Sequence, residues 1–331
     1  MKINLSVSIA SSLLGLGALL LISSCSKEPE VEVVKKPSRE VSLITDKAAE
    51  WKFGEQAYKH AGKIVEFGPR PAQSKALEQT RQYIKTELEK RKWSVKRQSF
   101  VVDTGFGKYQ FVNLMARYLP EGKDLDTVWR SGHRGVIGAH IDTKKIPGLN
   151  YVGAVDAAGS VGQLIEMADF LGKYAPAMAA QVELVFFDGE EALGKNMFYE
   201  SSGKDGLYGS HYYALNRNRK REFGIILDLL GQKNQKVKVP SDSPVFLYKD
   251  LMEIARRHGV EKSFGKADFP ILDDHVPLEV FGTPSIDIIA EFSSTDGWWH
   301  QEGDKLDQLS VEQLGVSLRV AIDLVATQLK K

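Results

Sequence analysis

The stretch LVFFDGEEAL, residues 184–193, places four apolar residues directly before an aspartate, a glycine and two adjacent glutamates. A continuous apolar run of this kind is typical of a strand that is buried on both faces, as in a parallel sheet. Two neighbouring carboxylates at the end of such a strand repel each other. The stretch therefore indicates either a strand that ends in solvent, or a site at which a cation lies beside Glu190 and Glu191.

Strands and helices alternate on both sides of this stretch. Strand-like segments are predicted at residues 94–104, 110–120, 134–144, 181–193, 224–231 and 283–291. Helical periodicity is found at residues 47–68, 72–92, 160–175 and 310–331. This alternation predicts an α/β fold with an open, mixed, mostly parallel sheet and helices on both faces.

Composition limits the classes of partner. The chain has 331 residues, 43% of them hydrophobic, and a formal net charge of +1. These values are those of an ordinary globular protein, without the basic excess that a nucleic-acid partner requires. We therefore expect one domain over residues 46–331 and no nucleic-acid partner.

The N-terminus has the pattern of a bacterial lipoprotein. Lys2 precedes a long apolar run that ends in ISSC, residues 22–25, which resembles a lipobox. We predict a signal peptide at 1–24, a lipid on Cys25 and a flexible tether at 25–45. The protein is then exported and anchored to a membrane, on the periplasmic face of the bacterial cell envelope. The alternative is an uncleaved N-terminal membrane anchor.

Acidic and histidine side chains follow most of the predicted strands. A single such residue is more often a cap or a turn residue, so the evidence is in their joint occurrence. In an open α/β sheet, binding sites form outside the carboxyl ends of the strands, where these side chains can converge. Their nitrogen and oxygen atoms suit zinc. The residues are His140, Asp142, Lys144, Asp156, Asp188, Glu190, Glu191, Asp228, Asp273, Asp274, His275 and His300.

Motifs for other catalytic chemistries are missing from the sequence. AGSVG at 158–162 has Ala158 where a nucleophile elbow has its first glycine. GAVDAAGSVG at 153–162 does not match the dinucleotide-binding glycine pattern. The one cysteine, Cys25, lies outside the predicted domain. Metal-assisted chemistry therefore fits the sequence best.

These motifs resemble the zinc aminopeptidase superfamily and, within it, the animal-type glutaminyl cyclases. The resemblance runs from FGPRP at 67–71 to WWHQEGDKLDQLS at 298–310, nearly the whole predicted domain. GAHIDTK, FDGEE and the last histidine are shared with the peptidases. LYGS after FFDGEEA, the DDHVP segment at 273–277 and the tryptophan directly before the last histidine point to the cyclases. The resemblance implies a zinc-aminopeptidase-like sheet.

The resemblance also implies a reaction, in which the N-terminal glutamine of a peptide or protein becomes pyroglutamate and ammonia is released. One Zn²⁺ per chain is implied, held by Asp156, Glu191 and His300. The implied catalytic residues are Glu190 as general acid and base, with Asp228 and Asp273, while Trp299 lines the glutamine pocket. The implied partners are peptides and proteins with N-terminal glutamine, together with the membrane through the N-terminal lipid.

Two other functions are compatible with parts of this pattern. A two-zinc aminopeptidase would hydrolyse N-terminal residues, with Glu190 activating a bridging water. Its five ligands would be His140, Asp156, Glu191, Asp228 and His300. A non-catalytic binding module on the same fold would be expected to lose Glu190, Glu191 or His300, and none of them is lost.

The sequence departs from the animal cyclases in the neighbourhood of the site. Asp287 stands where those enzymes have a histidine, on the strand after DDHVP. A tryptophan that follows their glutamate pair is replaced by GKNM at 194–197. Their disulfide is absent as well. The first two changes concern the residues around Asp273 and the substrate.

Overall fold

The computed structural model describes residues 51–200, 203–217, 220–293 and 296–331. All of them lie within one compact unit. The predicted signal peptide, Cys25 and the tether lie outside the described residues, so these assignments and the domain start at residue 46 remain predictions. None of the helices in the described ranges combines the length and the apolar character that a membrane crossing requires.

Helices and strands alternate along the chain, and most of the predicted segments are confirmed. The helices are α1 (Phe53–Val65), α2 (Lys75–Lys90), α3 (Leu125–Arg130), α4 (Ser160–Tyr174), α5 (Pro176–Ala179), α6 (Tyr208–Leu215), α7 (Val245–Arg257), α8 (His275–Val280) and α9 (Val311–Lys330). The strands are β1 (Trp93–Thr104), β2 (Gly107–Tyr118), β3 (Gly135–His140), β4 (Val182–Phe187), β5 (Phe198–Glu200), β6 (Gly203–Asp205), β7 (Phe223–Asp228), β8 (Val237–Val239), β9 (Phe264–Lys266) and β10 (Ser285–Ile289).

The central sheet has six strands in the order β1-β2-β4-β3-β7-β10. Strands β4, β3, β7 and β10 are parallel to one another. Strands β1 and β2 form an antiparallel pair, and β2 joins β4 in antiparallel orientation. The sheet is therefore mixed and mostly parallel, as the sequence predicts.

Strand β4 shows why the apolar run of the opening stretch is continuous. Leu184 and Phe186 belong to the large core on one face of the sheet, together with side chains of α1, α4 and α9. Val185 and Phe187 belong to a smaller core on the other face, together with Tyr213 of α6 and side chains of α8 and β7. Successive strand residues point to opposite faces, and here both faces are covered.

Several elements were not predicted from the sequence. The short pairs β5–β6 and β8–β9 and the short helices α3, α5, α6 and α8 depend on contacts with the rest of the fold. Helix α7 is different, because its buried residues Leu247, Leu251 and Ile254 follow a regular helical spacing. That pattern was present in the sequence and was missed. In the first predicted helix, residues 47–50 lie outside the described residues and α1 begins at Phe53.

Candidate active site

The carboxyl ends of the parallel strands meet at one edge of the sheet. His140 is the last residue of β3 and Asp228 the last of β7, while the glutamate pair follows β4 directly. Asp156 lies in the turn that leads into α4, and His300 lies in the loop between β10 and α9. The topology thus brings side chains from distant parts of the sequence to one place.

The glutamate pair is oriented by its own backbone. Gly189 has φ 73°, and a Cβ at this position would lie 2.4 Å from the Phe111 ring, so a glycine is required here. The two carboxylate oxygens of Asp142 accept hydrogen bonds from the backbone N–H groups of Glu190 and Glu191, each at 3.2 Å. Asp142 therefore fixes the direction in which the two neighbouring side chains leave the strand.

Asp188, the first acidic residue of the stretch, does not belong to the site. Its carboxylate accepts hydrogen bonds from Arg81 Nη2 at 2.5 Å and from the Val112 backbone N–H at 2.6 Å. Asp188 is fully buried, and Arg81 lies on helix α2. This aspartate therefore joins α2 and β2 to the end of β4.

The buried carboxylates of Asp156 and Glu191 and the partly exposed His300 form a group with the geometry of a metal site. Their nearest ligand atoms all lie within 4.8 Å of one another. His300 Nε2 is 3.1 Å from Glu191 Oε1 and 3.4 Å from Asp156 Oδ2. Ligand atoms about 2.0–2.2 Å from a tetrahedral zinc ion lie roughly 3.3–3.6 Å apart, so these contacts are close to the required spacing.

A second group shares Asp156. His140 Nε2 is 3.1 Å from Asp156 Oδ1 and 3.2 Å from Asp228 Oδ1, and these three residues also satisfy the spacing of metal ligands. Asp156 thus offers one oxygen to each group. The structure brings together all five residues that a two-metal site would use, and the three that a one-metal site would use.

Two residues that position Asp156 were not found from the sequence. The Asp304 carboxylate accepts hydrogen bonds from the backbone N–H groups of Val155, at 2.7 Å, and Asp156, at 3.1 Å. The Tyr151 hydroxyl lies 2.8 Å from Asp156 Oδ2 and 3.3 Å from Asp304 Oδ2. Both residues come from irregular loops, where no motif or period signals a role.

Arg70 supports the same loop from behind. Its guanidinium is fully buried and donates hydrogen bonds to the carbonyl oxygens of Ile141, Val152 and Gly153 at 3.2, 2.6 and 2.9 Å. Burial lowers the pKa of Arg70 to about 10, against the opposing charge of Asp304. The loop that carries Asp156 is therefore held on both sides by charged residues.

The pKa values of Asp156 and His300 reflect the close pairing of their side chains. Burial favours the neutral form of Asp156, but hydrogen bonds from His140 and His300 hold its pKa below the usual value. Burial also disfavours a charged His300, yet its hydrogen bonds to Asp156 and Glu191 raise its pKa to about 10. These carboxylates attract a positive charge strongly, whether it is a proton on a histidine or a metal ion.

A set of acids with different surroundings lies next to this group. Asp273 and Asp287 are buried, and no oxygen of either carboxyl group accepts a hydrogen bond of normal geometry from the described residues. Burial, reinforced by the charge of Asp228, raises the pKa of Asp273 to about 6. Burial and the charge of Asp273 raise the pKa of Asp287 well above its usual value. The two carboxyl groups can bond to each other only when one of them is protonated.

Glu190 lies between the two sets. Its Oε2 is 4.0 Å from His140 Nδ1. Burial raises its pKa well above the usual value; His140 opposes this, and the charges of Glu191 and Asp273 add to it. A carboxyl group with a raised pKa holds a proton more readily than an exposed glutamate does, which suits a general acid and base.

One cavity of about 320 Å³ joins these groups to an apolar wall. The predicted site residues that line it are Lys144, Asp156, Glu190, Glu191, Asp228, Asp273, Trp299 and His300. His140 does not line it. Trp299 stacks on the His300 ring, with the centroids 4.4 Å apart, and packs against Phe292 at 4.6 Å. Phe269, Ile271 and Ile289 extend the apolar wall.

Comparisons with known proteins agree with this geometry. Residues 128–325 match the model of peptidase family M28. A glutaminyl-peptide cyclotransferase from Dictyostelium discoideum is 27% identical over 286 residues, which cover 73% of this chain and 77% of that protein. A solved structure of Porphyromonas gingivalis glutaminyl cyclase superposes with a TM-score of 0.70 and 25% identity, covering 83% of this chain and 98% of that one. A leucine aminopeptidase precursor from Bacteroides thetaiotaomicron has a TM-score of 0.69 and 25% identity, covering 82% and 96%.

Proposed function

The chain belongs to peptidase family M28, and we propose that within this family it is a glutaminyl-peptide cyclotransferase. It would convert the N-terminal glutamine of peptides and proteins to pyroglutamate and release ammonia. The observation that carries this proposal is the single cavity in which Glu190, Asp273 and Trp299 lie beside the Asp156–Glu191–His300 group. The cyclotransferase names of the relatives with 25–27% identity support it.

We assign one Zn²⁺ per chain to Asp156, Glu191 and His300. These residues fit zinc because they offer one nitrogen and two buried carboxylate donors, whose nearest atoms lie within 4.8 Å of one another. When bound, zinc supplies Lewis-acid polarisation of the γ-carboxamide carbonyl. Tyr151 and Asp304 keep Asp156 in place for this purpose.

Glu190 is the proton carrier of the proposed reaction. The α-amine of the substrate attacks the γ-carboxamide carbon, a C–N bond forms, and the bond to the carboxamide nitrogen breaks. The Glu190 carboxylate takes the proton that the amine loses and gives it to the departing ammonia. Burial raises its pKa above the usual value of a glutamate, which makes the carboxylate a stronger base than an exposed one.

Three other residues position the substrate. Asp228 and Asp273 line the cavity and are placed to accept hydrogen bonds from the amine or the carboxamide. The half-buried Trp299 forms the wall against which the glutamine side chain packs. Holding the glutamine in a folded conformer is a large part of the task, because the ring closes only when the amine is near the carbonyl carbon.

A two-zinc aminopeptidase is the second candidate, and one observation favours it. Asp156 offers Oδ1 to the group with His140 and Asp228, and Oδ2 to the group with His300. A carboxylate shared in this way is how two metal ions roughly 3.5–4 Å apart are bridged. In that enzyme Glu190 would activate a water molecule for peptide hydrolysis.

Product analysis separates the two candidates. The purified protein is incubated with Gln-initiated and Leu-initiated dipeptides, and the products are followed by mass spectrometry. We expect loss of ammonia from the Gln substrates and no cleavage of the Leu substrates. Free N-terminal amino acids, without loss of ammonia from Gln substrates, would establish the aminopeptidase.

We also propose that the enzyme is an exported lipoprotein with lipid on Cys25 and its catalytic domain on the periplasmic face. Its partners would be peptides and proteins with N-terminal glutamine, and it would contact the membrane through the lipid alone. The lipobox-like segment supports this proposal. Wild-type protein is expected in the membrane fraction, and Cys25→Ala should abolish lipid attachment. Complete recovery of wild-type protein without detergent would contradict it.

A further inference from the structure

A third group of side chains that can bind a metal extends from the wall of the active-site cavity into the protein. It consists of Asp273, just before α8, His275, the first residue of α8, and Asp287, in the middle of β10. One ligand atom of each residue lies within 4.8 Å of those of the other two. All three residues are at most 2% exposed. We call them the inner cluster.

The polar atoms of the inner cluster lack partners. Neither ring nitrogen of His275, and neither carboxylate oxygen of Asp273 or Asp287, has a hydrogen bond of normal geometry to the described residues. The nearest basic atom is His275 Nδ1, which lies 3.9 Å from Asp287 Oδ2 and is too far away for a hydrogen bond. Buried polar atoms are nearly always partnered, so the inner cluster requires a partner from outside the chain.

A proton shared between Asp273 and Asp287 meets only part of this requirement. It cancels one of the two negative charges and leaves both nitrogens of His275 unpartnered. Burial lowers the pKa of His275, so its ring is neutral and one nitrogen offers a lone pair. A divalent cation would cancel both negative charges and would bind all three residues at once.

We propose that the inner cluster is a second site for a divalent cation that binds nitrogen and oxygen ligands, such as Zn²⁺. One histidine nitrogen and two carboxylates are also the donor set of Asp156, Glu191 and His300. The 3.9 Å contact of the inner cluster is longer than the 3.1 and 3.4 Å contacts of that group, so its side chains must move together to hold an ion. The inner cluster is therefore the weaker site and fills only when metal is added in excess.

A cation can reach the inner cluster through the active-site cavity, because Asp273 lines that cavity. Once bound, it occupies oxygen atoms that Asp273 would otherwise offer to the substrate, and it replaces the proton that Asp273 shares with Asp287. Filling of the inner cluster therefore inhibits turnover. This consequence rests on the proposed cyclase function, whereas the existence of the site does not.

The test measures zinc binding to the full-length protein after dialysis against metal-free buffer. Zn²⁺ is then added, and bound zinc is quantified by equilibrium dialysis. We expect the wild type to bind one equivalent beyond the zinc that survives the first dialysis. The affinity for this further equivalent should fall by about 100-fold or more in His275→Gln, which loses a ligand, while the zinc that survives dialysis is retained. No further equivalent in the wild type, or unchanged affinity in His275→Gln, would overturn the proposal.

His258→Gln is the matched control. His258 also faces a carboxylate, that of Asp323 at 2.9 Å, but it lies outside the inner cluster. An equal loss of affinity in this variant would mean that histidines elsewhere bind the added zinc, and would overturn the site. Should His275→Gln fold poorly by circular dichroism, Asp287→Asn removes one charge with little change of shape and should also lose the further equivalent. Unchanged affinity in Asp287→Asn would contradict the proposal as well.

Asp228→Ala distinguishes the inner cluster from the two-zinc alternative. This variant should still bind the further equivalent, because Asp228 does not belong to the inner cluster. Loss of the further equivalent in Asp228→Ala, with retention in His275→Gln, would assign the added zinc to the group of His140, Asp156 and Asp228 and would overturn the proposal. Turnover of Gln-initiated dipeptides, followed in the same titration, should fall as the wild type binds the further equivalent. Binding without inhibition would support the site and contradict the role assigned to Asp273 in the reaction.

Discussion

The two halves of the active site differ in the hydrogen bonds that their carboxyl groups accept. We call Asp156, Glu191 and His300 the ligand half, and Glu190, Asp273 and Asp287 the acid half. Asp156 receives hydrogen bonds from Tyr151 and two histidines, and Glu191 receives one from the Lys144 backbone N–H at 3.0 Å. The oxygens of Asp273 and Asp287 receive none of normal geometry from the described residues. The contrast is between acids with donors and acids without them.

This difference has a direct chemical consequence. Donors stabilise the ionised carboxylate and fix its direction, which is what a metal ligand requires. Burial without donors stabilises the protonated acid instead, and the pKa values of Asp273 and Asp287 are raised. Burial and the neighbouring negative charges of Glu191 and Asp273 raise the pKa of Glu190 as well. We therefore expect the half with Asp156, Glu191 and His300 to hold a cation, and the half with Glu190, Asp273 and Asp287 to exchange protons.

The largest effect is expected in the acid half. Glu190→Gln keeps the shape of the side chain and removes the group that carries the proton. Turnover should fall by about 10²–10⁴-fold, while zinc content and thermal stability stay at wild-type values. Steady-state kinetics and metal analysis of the same preparation check this. Near-normal turnover would mean that Glu190 is not the proton carrier.

Glu191→Gln, one residue along, should fail through the metal instead. Mutating a hydrogen-bond partner of a metal ligand weakens zinc affinity by roughly 10–100-fold. Loss of a ligand itself should weaken it further and should lower the melting temperature. Excess zinc should restore part of its activity. Competition with a chelator measures the affinity. If Glu191→Gln retained its metal and Glu190→Gln lost it, the roles of the two glutamates would be reversed.

Substitution of the residues that hydrogen-bond to Asp156 should have an intermediate effect on zinc affinity. Tyr151→Phe and Asp304→Asn each remove a hydrogen-bond partner of Asp156 or of its backbone. We expect zinc affinity to fall by about 10–100-fold in each. Tyr199→Phe is the matched control, because its hydroxyl contacts His211 Nδ1 at 2.7 Å rather than a ligand. An unchanged zinc affinity in both test variants would show that Asp156 needs no support.

The smallest effect is expected at Asp287. Asp287→Asn retains a polar side chain but cannot share a proton with Asp273. Turnover should fall by about tenfold, below the 10²–10⁴-fold worth of a direct acid or base, and zinc content should not change. Asp287→His restores the residue type of the animal cyclases and should recover activity relative to Asp287→Asn. Loss of zinc in either variant would remove the distinction between the two halves.

The residues of the site were easier to predict from the sequence than the residues that hold them in place. Buried parallel strands have a simple apolar pattern, and their carboxyl ends converge by topology, so His140, Asp156, Glu190, Glu191, Asp228 and His300 could be selected at strand ends and in the loops beside them. The same rule included Asp188, which instead bonds to Arg81. Strand position alone does not tell which way a side chain points after a turn.

Tyr151, Asp304 and Arg70 could not be predicted, because their roles arise from contacts between irregular loops. Asp304 is four residues after His300 and binds backbone N–H groups almost 150 positions earlier in the chain. No local period encodes such a contact. The proton affinities of the acid half depend on burial and on missing donors, which only the folded structure reveals.

The number of zinc ions per chain tests most directly whether this site works as a one-metal cyclase. The wild-type protein and Asp228→Ala are purified in parallel, and zinc and protein are quantified in the same samples. We predict one equivalent of zinc in both, because Asp228 contacts the substrate rather than the metal in a one-metal cyclase. Two equivalents in the wild type, falling to one in Asp228→Ala, would contradict it and would establish the shared Asp156 as the bridge of a two-metal site.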